Sequence, residues 1–197
     1  MRIFVAIDLE ETIRDEIRRF VDVARGLAPE VRWVQPASLH VTLKFIGEQP
    51  EATVERVQQA LSSISMDSFQ LRFRGCGFFP TPRAARVFWA GIEAETGLGQ
   101  LQTAVEEALE KLAIPRESRA FSPHLTLARE GSAAPSWRKG DRLNQRFTRL
   151  QQYLAQVPTP EFGKMAAREF FLYRSQLSSE GSRYTKIARF DLHFAAH

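Results

Sequence analysis

Cysteine is scarce in this chain, and its first residues contain no long apolar run. The one cysteine, Cys76, cannot form an internal disulfide and lacks the partners of a thiolate zinc site, so we interpret it as a small packing residue. Asp8 interrupts the short apolar run that begins at Ile3, so this segment resembles neither a secretory signal nor a transmembrane helix. We therefore expect a cytoplasmic protein that does not contact a membrane.

The composition describes a chain of moderate size with a modest excess of positive charge. A length of 197 residues with 44% apolar content suits one compact domain and is too short for several independent ones. The formal charge of +4 permits an anionic partner without requiring one. Residues 131–160 carry five basic side chains against one acidic side chain. Arg142, Arg146 and Arg149 lie at helical spacing there, and such a stripe can hold an RNA backbone or simply face solvent.

Apolar spacing predicts both strands and helices along the chain. The period-2 and continuous apolar runs predict strands at 2–7, 31–34, 39–46, 69–74, 86–92, around His124, 168–175 and 183–194. Apolar residues three and four apart predict helices over 13–24, 53–64, 98–112 and 143–154. The sequence therefore indicates a protein that mixes strands and helices.

The chain repeats one pattern at a fixed spacing. Arg2-Ile-Phe-Val-Ala matches Arg86-Val-Phe-Trp-Ala, and the shift in numbering from Arg2 to Arg86 is the same as the shift from His40 to His124. Because both shifts agree, we interpret the segments 2–46 and 86–130 as the two copies of an internal duplication, each a strand, a helix and a second strand. We call this common shift the repeat offset.

The second strand of each copy carries a His-x-Thr-Leu motif. Alternate side chains of a strand share one face, so His40 and Thr42 should point the same way, as should His124 and Thr126. If the two copies pack about an approximate twofold axis, two imidazoles and two hydroxyls meet around one small anion, which suits a phosphate. Either motif alone is a common strand fragment, and a duplicated scaffold could also keep both histidines for packing.

Paired histidines can catalyse displacement at phosphorus without a metal. In-line attack needs a base for the attacking oxygen and an acid for the departing oxygen on the opposite side. With ordinary pKa values near 6.5, one imidazole can be neutral while the other is protonated. A 2',3'-cyclic phosphate suits such a site because its strained ring is reactive and the adjacent sugar oxygen is the leaving group.

The residues around both motifs resemble the 2H phosphoesterase superfamily, and in particular its RNA 2',3'-cyclic phosphodiesterase branch, also called 2'-5' RNA ligase. The resemblance extends over nearly the whole chain and is carried by Arg2-Ile-Phe-Val-Ala-Ile-Asp, Leu39-His-Val-Thr-Leu-Lys-Phe-Ile-Gly, Arg86-Val-Phe-Trp-Ala-Gly, Phe121-Ser-Pro-His-Leu-Thr-Leu-Ala-Arg, Leu172-Tyr-Arg-Ser and Arg183-Tyr-Thr.

This resemblance implies an α+β fold: a bilobal, duplicated arrangement of two antiparallel-type sheets flanked by helices, with a central cleft. Residues 1–197 would form a single monomeric domain of two intertwined, pseudo-symmetric lobes. It also implies hydrolysis of RNA 2',3'-cyclic phosphate ends, such as those of tRNA-like fragments, to 2'-phosphomonoesters, without a cofactor or metal. The same site would join an RNA 5'-hydroxyl through a 2'-5' linkage without ATP.

The resemblance also implies a role for each motif residue. His40 would be the general acid toward the 3'-oxygen and His124 the general base toward water, although the sequence does not fix which histidine takes which role. Thr42 and Thr126 would bind phosphate oxygens. Arg129 occupies a position where the family often has an arginine near the site, but strict alternation from His124 would turn it to the opposite face.

Two other functions stay open at this point. One is a phosphodiesterase of small cyclic or 2'-5' linked nucleotides, and the other is a non-catalytic RNA-binding module. A metal site at His193 and His197 is not predicted, because the segment has a strand pattern and His197 is the last residue. Several aromatic residues could stack a base, although most should lie in the core: Trp33, Phe79, Phe121 and Tyr184.

Overall fold

Helices separate groups of antiparallel strands in the computed structural model, which describes residues 1–131, 145–178 and 181–193. The helices are α1 (Glu11–Leu27), α2 (Glu51–Ser62), α3 (Thr96–Glu110) and α4 (Thr148–Leu154), with short 3-10 turns at Pro36–Ser38 and Gln145–Phe147. The strands are β1 (Arg2–Asp8), β2 (Arg32–Trp33), β3 (His40–Glu48), β4 (Phe69–Phe79), β5 (Val87–Ala94), β6 (His124–Arg129), β7 (Glu161–Ala167), β8 (Glu169–Ser178) and β9 (Gly181–Asp191). Among the residues described, no helix is long and apolar enough to cross a membrane.

The strands form two antiparallel sheets. The first sheet has the order β3-β1-β8-β9, and the second has the order β2-β6-β5-β4-β7. Every pairing between neighbouring strands is antiparallel. The two strands that carry the histidine motifs, β3 and β6, belong to different sheets and contact each other. The predicted α+β fold with two antiparallel sheets is therefore confirmed.

Two helices each follow a strand of one sheet and pack against a strand of the other sheet. Helix α1 follows β1 of the first sheet but packs against β7 of the second, and α3 follows β5 of the second sheet but contacts β3 of the first. The apolar side of α1 is buried through Ile13, Ile17, Val21 and Ala24, as amphipathic spacing requires. Each sheet is thus covered in part by a helix that follows a strand of the other sheet.

Strand β1 is apolar on both faces because two clusters bury it. Ile3, Val5 and Ile7 belong to the large core between the sheets and helices. Phe4 and Ala6 belong to a second, small cluster on the other face, together with residues of β8. This double burial explains why the chain opens with a continuous apolar run rather than an alternating one.

A buried ion pair connects β3 to α3. The ammonium of Lys44 lies 2.5 Å from Oε2 of Glu106 and donates a second hydrogen bond, 2.8 Å long, to the carbonyl of Pro115. Both charged side chains are almost fully buried. Removing one partner of such a pair typically costs about 3–5 kcal/mol, because the other charge stays buried without compensation. The first motif strand is therefore fixed to the helix that leads toward the second motif.

Several predicted boundaries differ from the structure. Strand β7 was not predicted, since its sequence Glu-Phe-Gly-Lys-Met-Ala-Ala is poor in strand-forming residues and Gly163 has φ +107°. Strand β4 continues to Phe79, beyond the predicted end at 74. Helix α4 spans Thr148–Leu154 and follows a 3-10 turn, so it is shorter than the helix predicted over 143–154. Leu143 lies outside the described residues.

Candidate active site

The two motifs occupy equivalent places on their strands. His40 and Thr42 are half-buried while Val41 between them is fully buried. His124 and Thr126 show the same alternation around buried Leu125. The imidazole and hydroxyl of each motif therefore share the face that is turned away from the core.

A β-bulge follows each motif at the same position. Strand β3 carries Leu43 as an extra residue relative to β1, and β6 carries Leu127 as an extra residue relative to β5. In each bulge the extra residue and the next one are both buried, Leu43 with Lys44 and Leu127 with Ala128. Two consecutive inward residues shift the alternation by one, so the residue that follows each bulge returns to the face of the motif.

This shift corrects the orientation that strict alternation predicts for Arg129. Arg129 pairs with Val87 in the sheet, on the same face as the pair formed by Trp89 and Thr126. Its Nη2 donates a hydrogen bond of 3.3 Å to Oγ1 of Thr126. Arg129 thus lies beside the motif, and strict alternation is wrong because it ignores the bulge.

Both histidines make the same hydrogen bond through Nδ1. The Nδ1 of His40 lies 2.8 Å from the carbonyl oxygen of Ser38, and that of His124 lies 2.7 Å from the carbonyl oxygen of Ser122. Because a carbonyl oxygen can only accept, Nδ1 carries the proton in both rings. Nε2 is then the atom of each ring that exchanges a proton with a substrate.

His40 lies among aromatic rings. Its ring centroid is 4.7 Å from that of Phe4 and 5.1 Å from that of Tyr184, which meets it edge to face. Burial lowers the pKa of His40 from 6.5 to about 4, although its bond to Ser38 and the charge of Asp8 act in the opposite direction. The ring is therefore neutral near pH 7 in the ligand-free protein.

His124 has a similar aromatic neighbour but different surroundings. The ring of Phe79 meets it edge to face at 5.0 Å, and Trp89 lies at 6.4 Å. The residue opposite His124 in the sheet is Gly91, where an added Cβ would lie 2.4 Å from the carbonyl oxygen of Arg74. A side chain cannot be accommodated there without displacing the neighbouring backbone.

Beside His40 lies a charged network. Asp8, its partner in the sheet, contacts the guanidinium of Arg14 and the ammonium of Lys186. Buried Arg14 also donates to the carbonyl of Pro36 at 2.6 Å and to that of Leu39 at 3.2 Å. These bonds hold the backbone on both sides of Ser38, whose carbonyl accepts the Nδ1 proton of the histidine.

The structure brings the two motifs within electrostatic reach of each other. The charge of Arg129, on the second motif strand, lowers the pKa of His40 on the first. Strands β3 and β6 also contact each other. Arg129 of the second motif strand therefore lies within electrostatic reach of His40. That the two imidazoles and two threonines meet around one phosphate stays a prediction.

Phe45 is a candidate that the sequence interpretation did not include. It pairs with Phe4 on the motif face, directly after the bulge in β3, and 62% of its surface is exposed. The repeat offset that relates His40 to His124 also relates Phe45 to Arg129. Applying this offset to the whole motif strand, rather than to the histidines alone, would have identified Phe45 as the counterpart of Arg129.

The other aromatic candidates separate into two groups. Tyr184 and Phe79 each meet a motif histidine edge to face. Trp33 packs on Phe88 in the core and donates its indole N–H to the carbonyl of Ala28 at 2.9 Å. Phe121 packs against the core. Tyr184 and Phe79 are therefore candidates for the site, whereas Trp33 and Phe121 serve the fold.

The remaining candidates lie away from the motifs or outside the described residues. His193 contacts the hydroxyl of Ser65 at 2.8 Å through Nε2, and His197 is outside the described residues. Cys76 packs against the core, and burial raises the pKa of its thiol to about 12. Within the described ranges, no three His, Cys, Asp or Glu side chains are grouped so that they could hold a metal ion.

The predicted basic stripe is only partly described. Arg146 lies in the 3-10 turn Gln145–Phe147, and exposed Arg149 follows it on α4. Arg142 lies outside the described residues. A role of this stripe in holding RNA therefore stays a prediction.

Comparison with known proteins identifies the family. The sequence profile described as "LigT like Phosphoesterase" matches residues 7–89 and again residues 91–184. The chain belongs to the LigT-like phosphoesterase family. The starts of the two matches, at 7 and 91, are related by the same repeat offset as His40 and His124. The predicted resemblance and the prediction of a phosphoesterase are both confirmed.

Similar proteins match over their full length. The chain is 32% identical to a protein of Methanothermobacter thermautotrophicus named RNA 2',3'-cyclic phosphodiesterase, over 98% of this chain and 99% of that one. A protein of the same name from Archaeoglobus fulgidus is 31% identical over 97% of this chain and all of its own length. Among solved structures, TT0787 of Thermus thermophilus superposes with a TM-score of 0.78 at 31% identity, and each chain is covered completely.

Proposed function

We propose that this protein opens 2',3'-cyclic phosphate ends of RNA by hydrolysis to 2'-phosphomonoesters, with two histidines as acid and base and without a metal. The observation that carries the proposal is the matched Nδ1 bond of His40 and His124, which leaves Nε2 of both rings for proton transfer. Two kinds of similarity support the choice of substrate. Full-length relatives are named RNA 2',3'-cyclic phosphodiesterase, and E. coli LigT, 29% identical over 97% of this chain with a TM-score of 0.74, was crystallised with 3'-AMP.

In the proposed reaction, one histidine activates water and the other protonates the leaving oxygen. The neutral base accepts a proton from water at Nε2 while the water oxygen forms a bond to phosphorus. On the opposite side the bond between phosphorus and the 3'-oxygen breaks, and the second imidazolium donates its Nε2 proton to that oxygen. Thr42, Thr126 and Arg129 would donate hydrogen bonds to the non-bridging oxygens, where negative charge accumulates.

The family resemblance implies that His40 is the acid, and the surroundings of His40 add a condition to that role. Its pKa is lowered to about 4 by burial, so an acidic His40 must gain its proton when the anionic phosphate binds and raises this pKa. If His40 is instead the base, kcat/KM should rise as the pH increases past the low pKa of His40. It should then stay constant until the acid deprotonates. The pH dependence of kcat/KM in wild type and in His40→Gln distinguishes the two assignments.

The same geometry allows ligation. If an RNA 5'-hydroxyl takes the place of water, the base accepts its proton, the new bond to phosphorus forms a 2'-5' phosphodiester, and the 3'-oxygen leaves as before. No ATP is needed because the cyclic phosphate supplies the activated bond. We include this activity in the proposal, and it is tested by supplying a second RNA with a 5'-hydroxyl and sizing the products.

The decisive experiment is product analysis of a labelled RNA that ends in a cyclic phosphate. We expect conversion to a 2'-phosphate end in the presence of EDTA, and its loss in His40→Ala and His124→Ala. His193→Ala is the matched control, since His193 bonds to Ser65 outside the site. Activity that EDTA abolishes, or activity that survives loss of either motif histidine, contradicts the proposal.

The two alternative functions predict different results. A phosphodiesterase of small cyclic or 2'-5' linked nucleotides would open these at a higher kcat/KM than a cyclic-ended RNA. A non-catalytic RNA-binding module would show no turnover and would bind RNA equally well without either histidine. Because both motifs come from one chain, we also propose that the site is complete in a monomer. We further propose that the protein acts in the reducing cytoplasm.

A further inference from the structure

Two arginines lie directly opposite each other beside the second motif. Arg32 of β2 pairs with Arg129 of β6, and both side chains are exposed. The next pair along the same two strands is Trp33 with Ala128, and Ala128 is fully buried. Because neighbouring residues of a strand point to opposite faces, Arg32 and Arg129 share the outer face.

That outer face is the one that carries the second motif. Arg129 donates a hydrogen bond to the hydroxyl of Thr126, and Arg32 lies one strand further toward the edge of the same sheet. On the inner side, Trp33 is anchored by its N–H bond to Ala28. The backbone N–H of Val34 donates to the carbonyl of Leu127 at 2.8 Å, and this bond to β6 holds Arg32 opposite Arg129.

Each guanidinium group can donate two parallel hydrogen bonds to a phosphate. Two such groups side by side on one face can therefore bind two successive phosphates. In an RNA strand that ends in a cyclic phosphate, the nearest other phosphate is the one on the 5'-oxygen of the same ribose. A pair of arginines that begins at the cyclic-phosphate site is therefore suited to hold that second phosphate.

We propose that Arg32 forms a second phosphate subsite, which binds the 5'-phosphate of the end nucleotide and so favours an RNA strand over a free nucleoside cyclic phosphate. This inference rests on the proposed function. It assigns Arg129 to the reacting phosphate and Arg32 to its neighbour, so the two guanidinium groups bind successive phosphates of one strand.

The test compares two substrates that differ in one phosphate. They are a nucleoside 2',3'-cyclic phosphate with a 5'-hydroxyl and the same compound with a 5'-phosphate. We expect wild type to prefer the 5'-phosphorylated compound about tenfold in kcat/KM, the effect of one charge-assisted contact. Arg32→Gln should remove this preference and leave kcat/KM for the 5'-hydroxyl compound within about twofold. Arg25→Gln, which removes an exposed charge from the last turn of α1, should keep the preference.

A wild-type enzyme without preference, or an Arg32→Gln variant that loses both substrates equally, overturns the inference. Direct titration separates this outcome from failure of the proposed function. A nucleoside 2',5'-bisphosphate should bind wild type more tightly than the 2'-monophosphate, and Arg32→Gln should abolish the difference without any turnover.

Discussion

The two motif strands have the same backbone arrangement but different surroundings. Both place imidazole and hydroxyl on one face, bond Nδ1 to the carbonyl two residues earlier, and insert a bulge after the motif. Opposite His40 in the sheet, however, is Asp8, which is paired with the buried Arg14, whereas Gly91 is opposite His124. The counterpart of Arg14 at the repeat offset is Leu98, which is apolar and buried.

This difference shows how a symmetric scaffold can support two unlike roles. The shared bonds give both histidines the same tautomer, because the carbonyl partner is part of the backbone. The side chains that are not shared change the charge and solvent access around each ring. A base and an acid need different protonation states at one pH, so differences of this kind are what the proposed chemistry requires.

The largest expected effect comes from removing either imidazole. We expect His40→Ala and His124→Ala each to lower kcat/KM by roughly a thousandfold, since acid or base catalysis contributes about 10²–10⁴. The double variant should be little worse than either single variant, because the two groups act in one step. Steady-state kinetics on cyclic-ended RNA measures this. If one variant kept activity within tenfold of wild type, the two motifs would not be equally required.

The next effect concerns Arg129, which follows the bulge of the second motif. Arg129→Gln should lower kcat about a hundredfold, because a charge-assisted bond to the reacting phosphate is lost in the transition state. Arg25→Gln is the control, at an exposed arginine in the last turn of α1. A rise in KM with unchanged kcat would instead assign Arg129 to ground-state binding.

Substitution of Arg14 tests whether the charged network beside His40 positions the imidazole ring. Arg14→Met should lower kcat by roughly ten to a hundredfold with little change in KM, because a small displacement of His40 misaligns proton transfer. Arg19→Met, on the exposed side of the same helix, is the control. The basic variant Arg14→Lys should restore part of kcat if charge and hydrogen bonding are what matter. An equal loss of folded protein and activity in Arg14→Met would reduce its role to stability.

Phe45 occupies the position that Arg129 has in the other motif. Phe45→Ala should lower kcat/KM about tenfold, since an exposed aromatic ring can stack a base and such stacking contributes about 1–3 kcal/mol. Phe45→Tyr should keep most of the activity. Val23→Ala, at another exposed large apolar residue, is the control. Equal activity in Phe45→Ala and wild type would leave the exposed ring without a role in binding.

The last expected effect concerns stability rather than activity, and it is a pH dependence due to His40. Its pKa is lowered to about 4 in the folded protein, so between that value and about 6.5 the unfolded chain binds more protons. The contribution is therefore present above about pH 6.5 and is lost as the pH falls, by about 2 kcal/mol between about pH 7 and pH 5. Urea unfolding at the two pH values should show this loss in wild type and a smaller one in His40→Gln. An equal loss in both proteins would place its origin elsewhere.

Much of the fold and of the candidate site could be predicted because the evidence was local. The period of apolar residues identified α1 and β1, and the repeat offset related His40 to His124. Strand β7 was missed because glycine and alanine there give no strand pattern, and its pairing with β4 alone makes it a strand. The orientation of Arg129 was uncertain for a similar reason, since the bulge exists only in relation to β5.

The sequence by itself determined which groups can take part in chemistry, because residue types and their spacing along a strand are covalent facts. It determined that His40 and Thr42 share a face, that His124 and Thr126 do so too, and that one constant offset relates the two pairs. The tertiary structure decided what surrounds each pair. Burial of His40 among aromatic rings, the bonds of Arg14 and the opposition of Arg32 to Arg129 join residues from separate elements. Such contacts depend on how sheets and helices pack, and no local pattern of residues encodes them.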